Sequence, residues 1–153
     1  FVAQSMNKSK DDLYGSILKI EEKDSNYEAL EFKYEHFLIG GEESGLACPD
    51  NLCFDNKGNL WVATDVYGID FYKNGFAFQA NNALYVIPLY GDDAGIPKRF
   101  ASAPKGAEIT GPSFSSDYKT LFLSIQHPGE YVDSKWPNNS AVPKSSVVAI
   151  NLV

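Results

Sequence analysis

The sequence predicts an all-β fold built from β-propeller blades, and three observations support this prediction. Aromatic residues make up 14% of the chain and are accompanied by 12 glycines and 8 prolines, a composition that suits short strands joined by tight turns. Apolar segments are short and alternate with polar residues, which is the pattern of half-buried strands. Three similar segments, SILKI, ALYVI and SVVAI, recur at nearly equal spacing, as expected of a repeat.

Residues 1–48 are predicted to form the end of one blade. The first residues carry no regular pattern apart from a strand remnant at 1–4. A strand is predicted at 16–20, and an outer strand at 30–39, where apolar Phe32 and Tyr34 alternate with charged residues. These two segments correspond to the third and fourth strands of a blade.

Residues 49–106 are predicted to form one complete blade. The segment Asp-Asn-Lys-Gly at 55–58 is typical of a hairpin turn. Residues 66–82 form an insertion that is rich in aromatic residues and has no clear period. The strands of this blade are predicted at 52–54, 60–63, 83–89 and 98–101.

Residues 107–153 are predicted to form most of the next blade. Gly106 permits a tight turn and Gly111-Pro112 a second one, so that Glu108 lies between two turns. Strands follow at Phe114, 121–125 and 146–153, without a fourth. The predicted strands fill about two and a half four-stranded antiparallel blades, whereas closed propellers hold roughly four to eight. Since blades bury their faces against one another, we expect this piece to belong to a larger protein or to self-associate.

Charge and motifs exclude several classes of function. The net charge of −7 disfavours binding to nucleic-acid phosphates. The longest apolar run, residues 83–90, is far shorter than the roughly 20 residues of a membrane-spanning helix. Cys48 and Cys53 lack the spacing of a zinc site; Cys53 is expected in the core, and nothing supports a disulfide between them. Gly-rich nucleotide loops, GxSxG, HExxH and EF-hand patterns are all absent from the sequence.

Carboxylates at the entry of two innermost strands are the strongest candidates for a metal site. In a propeller, such entry loops open at one end of the central channel. Asp50 and Asn51 precede one innermost strand, and Glu108 precedes the next. Their oxygens suit calcium, which takes six to eight oxygen ligands, so these two blades offer only part of a site. Asn51 is also a candidate for a contact with substrate. The alternative is that Asp50 and Asn51 only stabilise a turn.

Further polar residues have both a functional and a structural interpretation. His127, in the loop Gln-His-Pro-Gly-Glu at 126–130, could contact phosphate or cap a strand. Arg99 could pair with phosphate through its guanidinium, or be solvated on an edge strand. Asp65 follows a strand and could face the channel, but it is interpreted as a solvated loop acid. Asp55 and Asp117 are expected to stabilise hairpin turns.

Two segments carry a resemblance to a known family. PDNLCFDNKGNLWVATD at 49–65 and KGAEITGPSFSSDYKTLFLSIQHPGE at 105–130 resemble PhoX-type alkaline phosphatases. The resemblance implies a propeller enzyme of the periplasm or cell exterior that hydrolyses phosphate monoesters with calcium and iron. It also implies that Glu108 and Asp50 are metal ligands.

The resemblance has departures and rivals. Family members often carry a cysteine where this chain has Ala107, and the family's iron-ligating cysteine, arginine and further acids lie in upstream blades. We therefore expect the isolated chain to be inactive. The segment at 49–65 also resembles calcium-dependent lactonases of the gluconolactonase type, which lack a counterpart of 105–130. A non-catalytic propeller that binds other proteins is the third alternative.

Overall fold

Strands dominate the structure, as the sequence predicts. A computed structural model of the protein describes residues 1–68, 70–72, 75–139 and 141–152, and in these residues helix is limited to three short 3-10 turns. The all-β prediction is confirmed. In the same residues, no helix is long and apolar enough to cross a bilayer. The strands are β1 (Val2–Gln4), β2 (Ser16–Glu22), β3 (Phe32–Ile39), β4 (Pro49–Phe54), β5 (Leu60–Thr64), β6 (Ala83–Ile87), β7 (Lys98–Ser102), β8 (Glu108–Phe114), β9 (Thr120–Gln126) and β10 (Ser146–Asn151).

The strands form three antiparallel sheets in chain order. The first sheet is β1-β2-β3, the second β4-β5-β6-β7 and the third β8-β9-β10. Within each sheet every strand pairs antiparallel with the next one along the chain, through connections that range from short hairpin turns to the long segments between β5 and β6 and between β9 and β10. The strand remnant predicted at 1–4 is β1, which pairs with β2.

Two strand starts differ from the prediction. Residues 49–51 were expected as a loop before a strand, but β4 already begins at Pro49. Gly111-Pro112 was expected as a turn, but β8 runs through it from Glu108 to Phe114. Both strands accommodate an irregular register, between Pro49 and Leu52 and between Thr110 and Ser113. A β-bulge of this kind keeps the strand in its sheet while turning side chains to a new direction.

The core lies between the sheets rather than within one of them. One cluster joins the second and third sheets around Trp61, Leu84 and Leu121, and another joins the first and second sheets around Ile17 and Leu60. Alternate residues of the strands supply these clusters, so the hydrophobic effect favours face-to-face stacking of the sheets. The innermost strand β4 consequently packs beside β8.

The two cysteines differ in burial. Cys53, which was expected in the core, is partly buried and packs against the cluster between the second and third sheets, whereas Cys48 is fully buried. Both thiols are free.

Candidate functional site

Three carboxylates from two sheets converge where β4, β5 and β8 meet. Asp50 lies near the start of β4, Asp65 directly follows β5, and Glu108 begins β8. The pKa of Glu108 is raised by burial and by the charges of Asp65 and Asp50, and that of Asp65 is raised by burial and by Asp50. Backbone and side-chain contacts bring their segments together: Asn51, next to Asp50, accepts a hydrogen bond from the Gly111 N–H of β8, and the Asp65 N–H donates to the Cys48 carbonyl just before β4.

Glu108 is the most enclosed of the three acids. Only 7% of its surface is exposed, although it begins a strand whose neighbouring residues, Ala107 and Ile109, belong to the core between the sheets. The tight turn at Gly106 precedes it, and a side chain at that glycine would lie 2.5 Å from Val132. The turn predicted at Gly106 is thus present, and it aims the first residue of β8 at the edge of the sheet.

Asn51 connects the two innermost strands. Its side-chain oxygen accepts a hydrogen bond from the Gly111 backbone N–H at 2.7 Å and another from the Thr110 hydroxyl. Its amide nitrogen donates to Asp50 Oδ2 at 2.9 Å. Asn51 therefore orients Asp50 while it ties β4 to the strand that carries Glu108. A direct contact with substrate remains a prediction for this residue.

His127 lies against Glu108. Its Nε2 is 3.3 Å from Glu108 Oε2, and its Nδ1 is 3.1 Å from Glu130 Oε2. The interaction with His127 opposes the rise in the pKa of Glu108 that burial and the neighbouring acids cause. The histidine thus faces the acid cluster, and its proposed contact with phosphate remains a prediction.

Arg99 lies apart from these acids, on the outermost strand of the second sheet. Its guanidinium donates to the Gln79 carbonyl at 2.6 Å and to the Tyr85 hydroxyl at 2.8 Å, and it lies over the Tyr85 ring. These contacts give Arg99 a role in packing. They do not support a phosphate contact, which for this residue remains only a prediction.

Sequence reasoning missed buried amides that lie beneath the acids. Asn82 accepts a hydrogen bond from the Val66 N–H at 2.7 Å and donates to the Val66 and Ala107 carbonyls at 3.0 and 3.3 Å. It thereby links the residue after Asp65 to the residue before Glu108. The insertion at 66–82 has no hydrophobic period, so pattern analysis had no signal for this role.

Asp65 was interpreted as a solvated loop acid, and the structure agrees in that it is exposed and directly follows β5. Its side chain reaches solvent, but its backbone N–H donates to the Cys48 carbonyl at 2.9 Å, which places it beside the start of β4. The available signal was its place at the end of the strand that pairs with β4.

In the described part of the chain, no group of three or more His, Cys, Asp or Glu residues is arranged to hold a metal ion. The acids are therefore part of a site at most.

Comparisons with known proteins agree on one family. The sequence model of the family described as alkaline phosphatase PhoX matches residues 2–129. Among solved structures, the chain resembles PhoX of Pseudomonas fluorescens in complex with vanadate, a transition state analogue, with a TM-score of 0.80 and 33% identity. The match covers 92% of this chain and 27% of that one. No curated protein matches. The predicted propeller architecture is confirmed by the structural match.

Proposed function

The chain belongs to the PhoX family of alkaline phosphatases, and we propose that it supplies part of the active site of a propeller enzyme that hydrolyses phosphate monoesters. The observation that carries the proposal is that Asp50, Asp65 and Glu108 stand at the strand ends that Asn51 and the Asp65–Cys48 backbone hydrogen bond tie together across two sheets. Like charges held together raise one another's pKa, and a divalent cation relieves this repulsion.

Calcium fits the donors that the chain presents. Asp50, Asp65 and Glu108 would supply some of its ligands and other blades the rest, because carboxylate oxygens are the hard ligands that calcium prefers and the ion takes six to eight of them. A bound divalent cation offsets the charge of the phosphoryl oxygens and positions an oxygen nucleophile for in-line attack. The residues of this chain contribute the negative charge and the fixed spacing of the oxygens. Asn51 and Asn82 maintain that spacing across the two sheets.

Iron does not fit the cysteines of this chain. Burial raises the pKa of Cys48 to about 12 and that of Cys53 to about 11, with Asp65 and Asp55 adding to the respective shifts. Cys48 is fully buried and its thiol donates to the Leu13 carbonyl at 3.8 Å, and among the described residues no group of three or more His, Cys, Asp or Glu side chains surrounds either cysteine in a metal-binding arrangement. We therefore propose that any iron in the enzyme is held by residues of other blades.

The rest of the enzyme is proposed to be further blades. The chain spans about a quarter of the PhoX structure that it matches, 27%. The outer strands of the end sheets expose apolar side chains, with Phe32 and Tyr34 in β3 at 60% and 65% and Val147 in β10 at 72%. Such surfaces favour stacking on neighbouring blades or on another copy of the chain. By family resemblance, we propose the periplasm or cell exterior as the location.

Acids alone would repel a phosphate dianion, so the proposal predicts that the isolated chain is inactive. The test is hydrolysis of p-nitrophenyl phosphate by the complete enzyme, with calcium and after chelation, and by the 153-residue chain alone. We expect calcium-dependent turnover only in the complete enzyme, with loss in Glu108→Gln. Turnover by the isolated chain would contradict the inactivity prediction, and full activity of Glu108→Gln would contradict the assigned site. Lactone hydrolysis in place of ester hydrolysis would favour the lactonase alternative.

A further inference from the structure

We propose that Glu130, Tyr131 and Tyr67 are positioning residues, which hold the His127 ring against Glu108 and so fix the direction of that carboxylate. The inference rests on the proposed function in one respect, namely that Glu108 is a metal ligand. We call Tyr67, Tyr131, Glu130 and His127 the rim chain, because their polar groups follow one another from the surface to the buried acid.

Each link of the rim chain is a direct contact. The Tyr131 hydroxyl donates to the Tyr67 hydroxyl and lies 2.9 Å from Glu130 Oε1. The other Glu130 oxygen, Oε2, is 3.1 Å from His127 Nδ1. His127 Nε2 then lies 3.3 Å from Glu108 Oε2. Both ring nitrogens of His127 therefore face carboxylate oxygens, and a rotation of the ring would lose both contacts at once.

The tyrosine pair joins the loops on either side of the acids. Tyr67 follows Asp65 by two residues, whereas Tyr131 follows Glu130, and the ring centroids are 4.8 Å apart. Between them lies Gly68, where a side-chain carbon would be 3.0 Å from Tyr131 Cδ2. The close approach of these loops therefore depends on the glycine, and the aromatic contact holds the loop after β9 over the loop after β5.

The backbone of the histidine needs this support. His127 has a φ of 33°, in the left-handed region that non-glycine residues rarely adopt. Such a conformation persists only where neighbouring contacts hold it. The Ser145 hydroxyl accepts a hydrogen bond from the His127 N–H at 3.3 Å, and Glu130 holds the ring. If Glu130 were lost, the backbone strain would favour a change in the position of the ring.

The consequence concerns the geometry of Glu108. His127 engages Oε2, so the carboxylate is turned in one direction and Oε1 is the oxygen left for a metal ion. Partners of metal ligands typically contribute 10- to 100-fold to metal affinity by fixing ligand orientation. The rim chain is thus expected to control calcium affinity through Glu108, without any contact to calcium of its own.

The experiment compares calcium affinity, measured by calorimetry on the metal-depleted complete enzyme, with the melting temperature of the same metal-depleted samples. Glu130→Ala removes both contacts of the side chain, whereas Glu130→Gln keeps an oxygen and the side-chain length. Tyr131→Phe removes only the hydroxyl. The matched controls are Tyr118→Phe, in the β8–β9 turn, and Glu28→Ala, on an exposed turn of the first sheet.

We expect Glu130→Ala to weaken calcium binding about tenfold, Tyr131→Phe about threefold, and Glu130→Gln to restore most of the affinity, as an outer partner should. The controls should bind calcium as the unmodified enzyme does. Unchanged affinity in Glu130→Ala and Tyr131→Phe, with or without a lower melting temperature, would overturn the inference. Glu108→Gln separates the two proposals: retention of calcium in that variant refutes the metal-ligand role, whereas its loss together with normal affinity in Glu130→Ala refutes the rim chain only.

Discussion

Acidic residues lie at both ends of the β4–β5 and β8–β9 strand pairs, and their pKa values are shifted in opposite directions at the two ends. At the turn end of the hairpins, Asp55 and Asp117 have lowered pKa values. At the open end, Asp65 and Glu108 have raised pKa values. All four residues are carboxylic acids, and the two acids of each strand pair are ten and nine residues apart in the sequence.

Hydrogen-bond donors explain the lowered pKa values at the turn end. Partial burial alone would raise the pKa of Asp55, but hydrogen bonds from Trp61 and Asn59 lower it by more. The Trp61 indole N–H donates to Asp55 at 3.0 Å, and the Asn59 and Lys57 backbone N–H groups donate at 2.9 Å each. Asp117 is held in the same manner by Ser115 and Lys119. These carboxylates are satisfied by their own turns, as the sequence predicts.

Burial and neighbouring negative charges explain the raised pKa values at the open end, where β5 ends and β8 begins. Burial and the charges of Asp65 and Asp50 in the adjacent sheet raise the pKa of Glu108, and partial desolvation and Asp50 raise that of the more exposed Asp65; His127 lowers both. Such an arrangement costs stability unless a cation binds. The difference indicates which acids serve the fold and which serve the site.

The largest expected effect is on activity at the open end. Asp65→Asn in the complete enzyme should lower calcium-dependent phosphatase activity at least about tenfold, because it removes a charged oxygen from the ion. Asp117→Asn, at the other end of the hairpins, should leave activity unchanged. Turnover of p-nitrophenyl phosphate measures both variants, and equal activities would remove the functional difference between the two ends.

The second effect is on stability at the turn end. Asp55→Ala should lower the free energy of unfolding by about 2 kcal/mol, since it leaves donors of Trp61 and Asn59 without their charged acceptor. Chemical denaturation of the enzyme measures the change. A loss below about 0.5 kcal/mol would show that these hydrogen bonds are replaced by water at little cost.

The third effect is a gain in stability at the open end. A carboxyl whose folded pKa is raised favours folding below its unfolded pKa, and this contribution is lost as the pH rises through the folded pKa. In metal-free protein, Glu108→Gln should therefore raise Tm by about 2 °C near pH 8 and have no such effect near pH 4. Calcium should then stabilise the unmodified protein more than the variant. A lower Tm for the variant near pH 8 would contradict this account.

The smallest effect is expected at Asp117, which is fully exposed. A carboxyl with a lowered folded pKa contributes stability above its unfolded pKa, and this is lost as the pH falls through the folded value. Asp117→Ala should therefore destabilise the protein slightly near pH 7, by less than Asp55→Ala, and the difference from the unmodified protein should vanish in acid. Thermal melts at several pH values test this, and a pH-independent difference would contradict it.

Local patterns predicted the turns and most strands, because alternation and turn residues act over a few neighbours. Residues 55–58 form a hairpin turn, and 83–87 and 98–102 form strands close to the predicted bounds. The start of β4 at Pro49 was missed because pairing with Thr64, distant in sequence, outweighs the turn propensity of Asp50.

The candidate site was only partly predictable for the same reason. The assignment of Glu108 and Asp50 as metal ligands came from their motifs and stays a prediction. For Asp65 the only sequence signal was its place after a strand, because its position beside the start of β4 follows from pairing with a distant segment. The hydrogen bond between Tyr67 and Tyr131 joins loops that are far apart in sequence. Asn82 in turn donates to the Ala107 carbonyl, just before β8. No local pattern encodes such contacts.

The most direct test of the acid cluster is a crystal structure of the complete enzyme grown with calcium. We predict an ion with a Glu108 oxygen at about 2.3 to 2.6 Å, together with at least one oxygen of Asp50 or Asp65. The account would be contradicted if calcium bound elsewhere in the propeller while Glu108 contacted only His127.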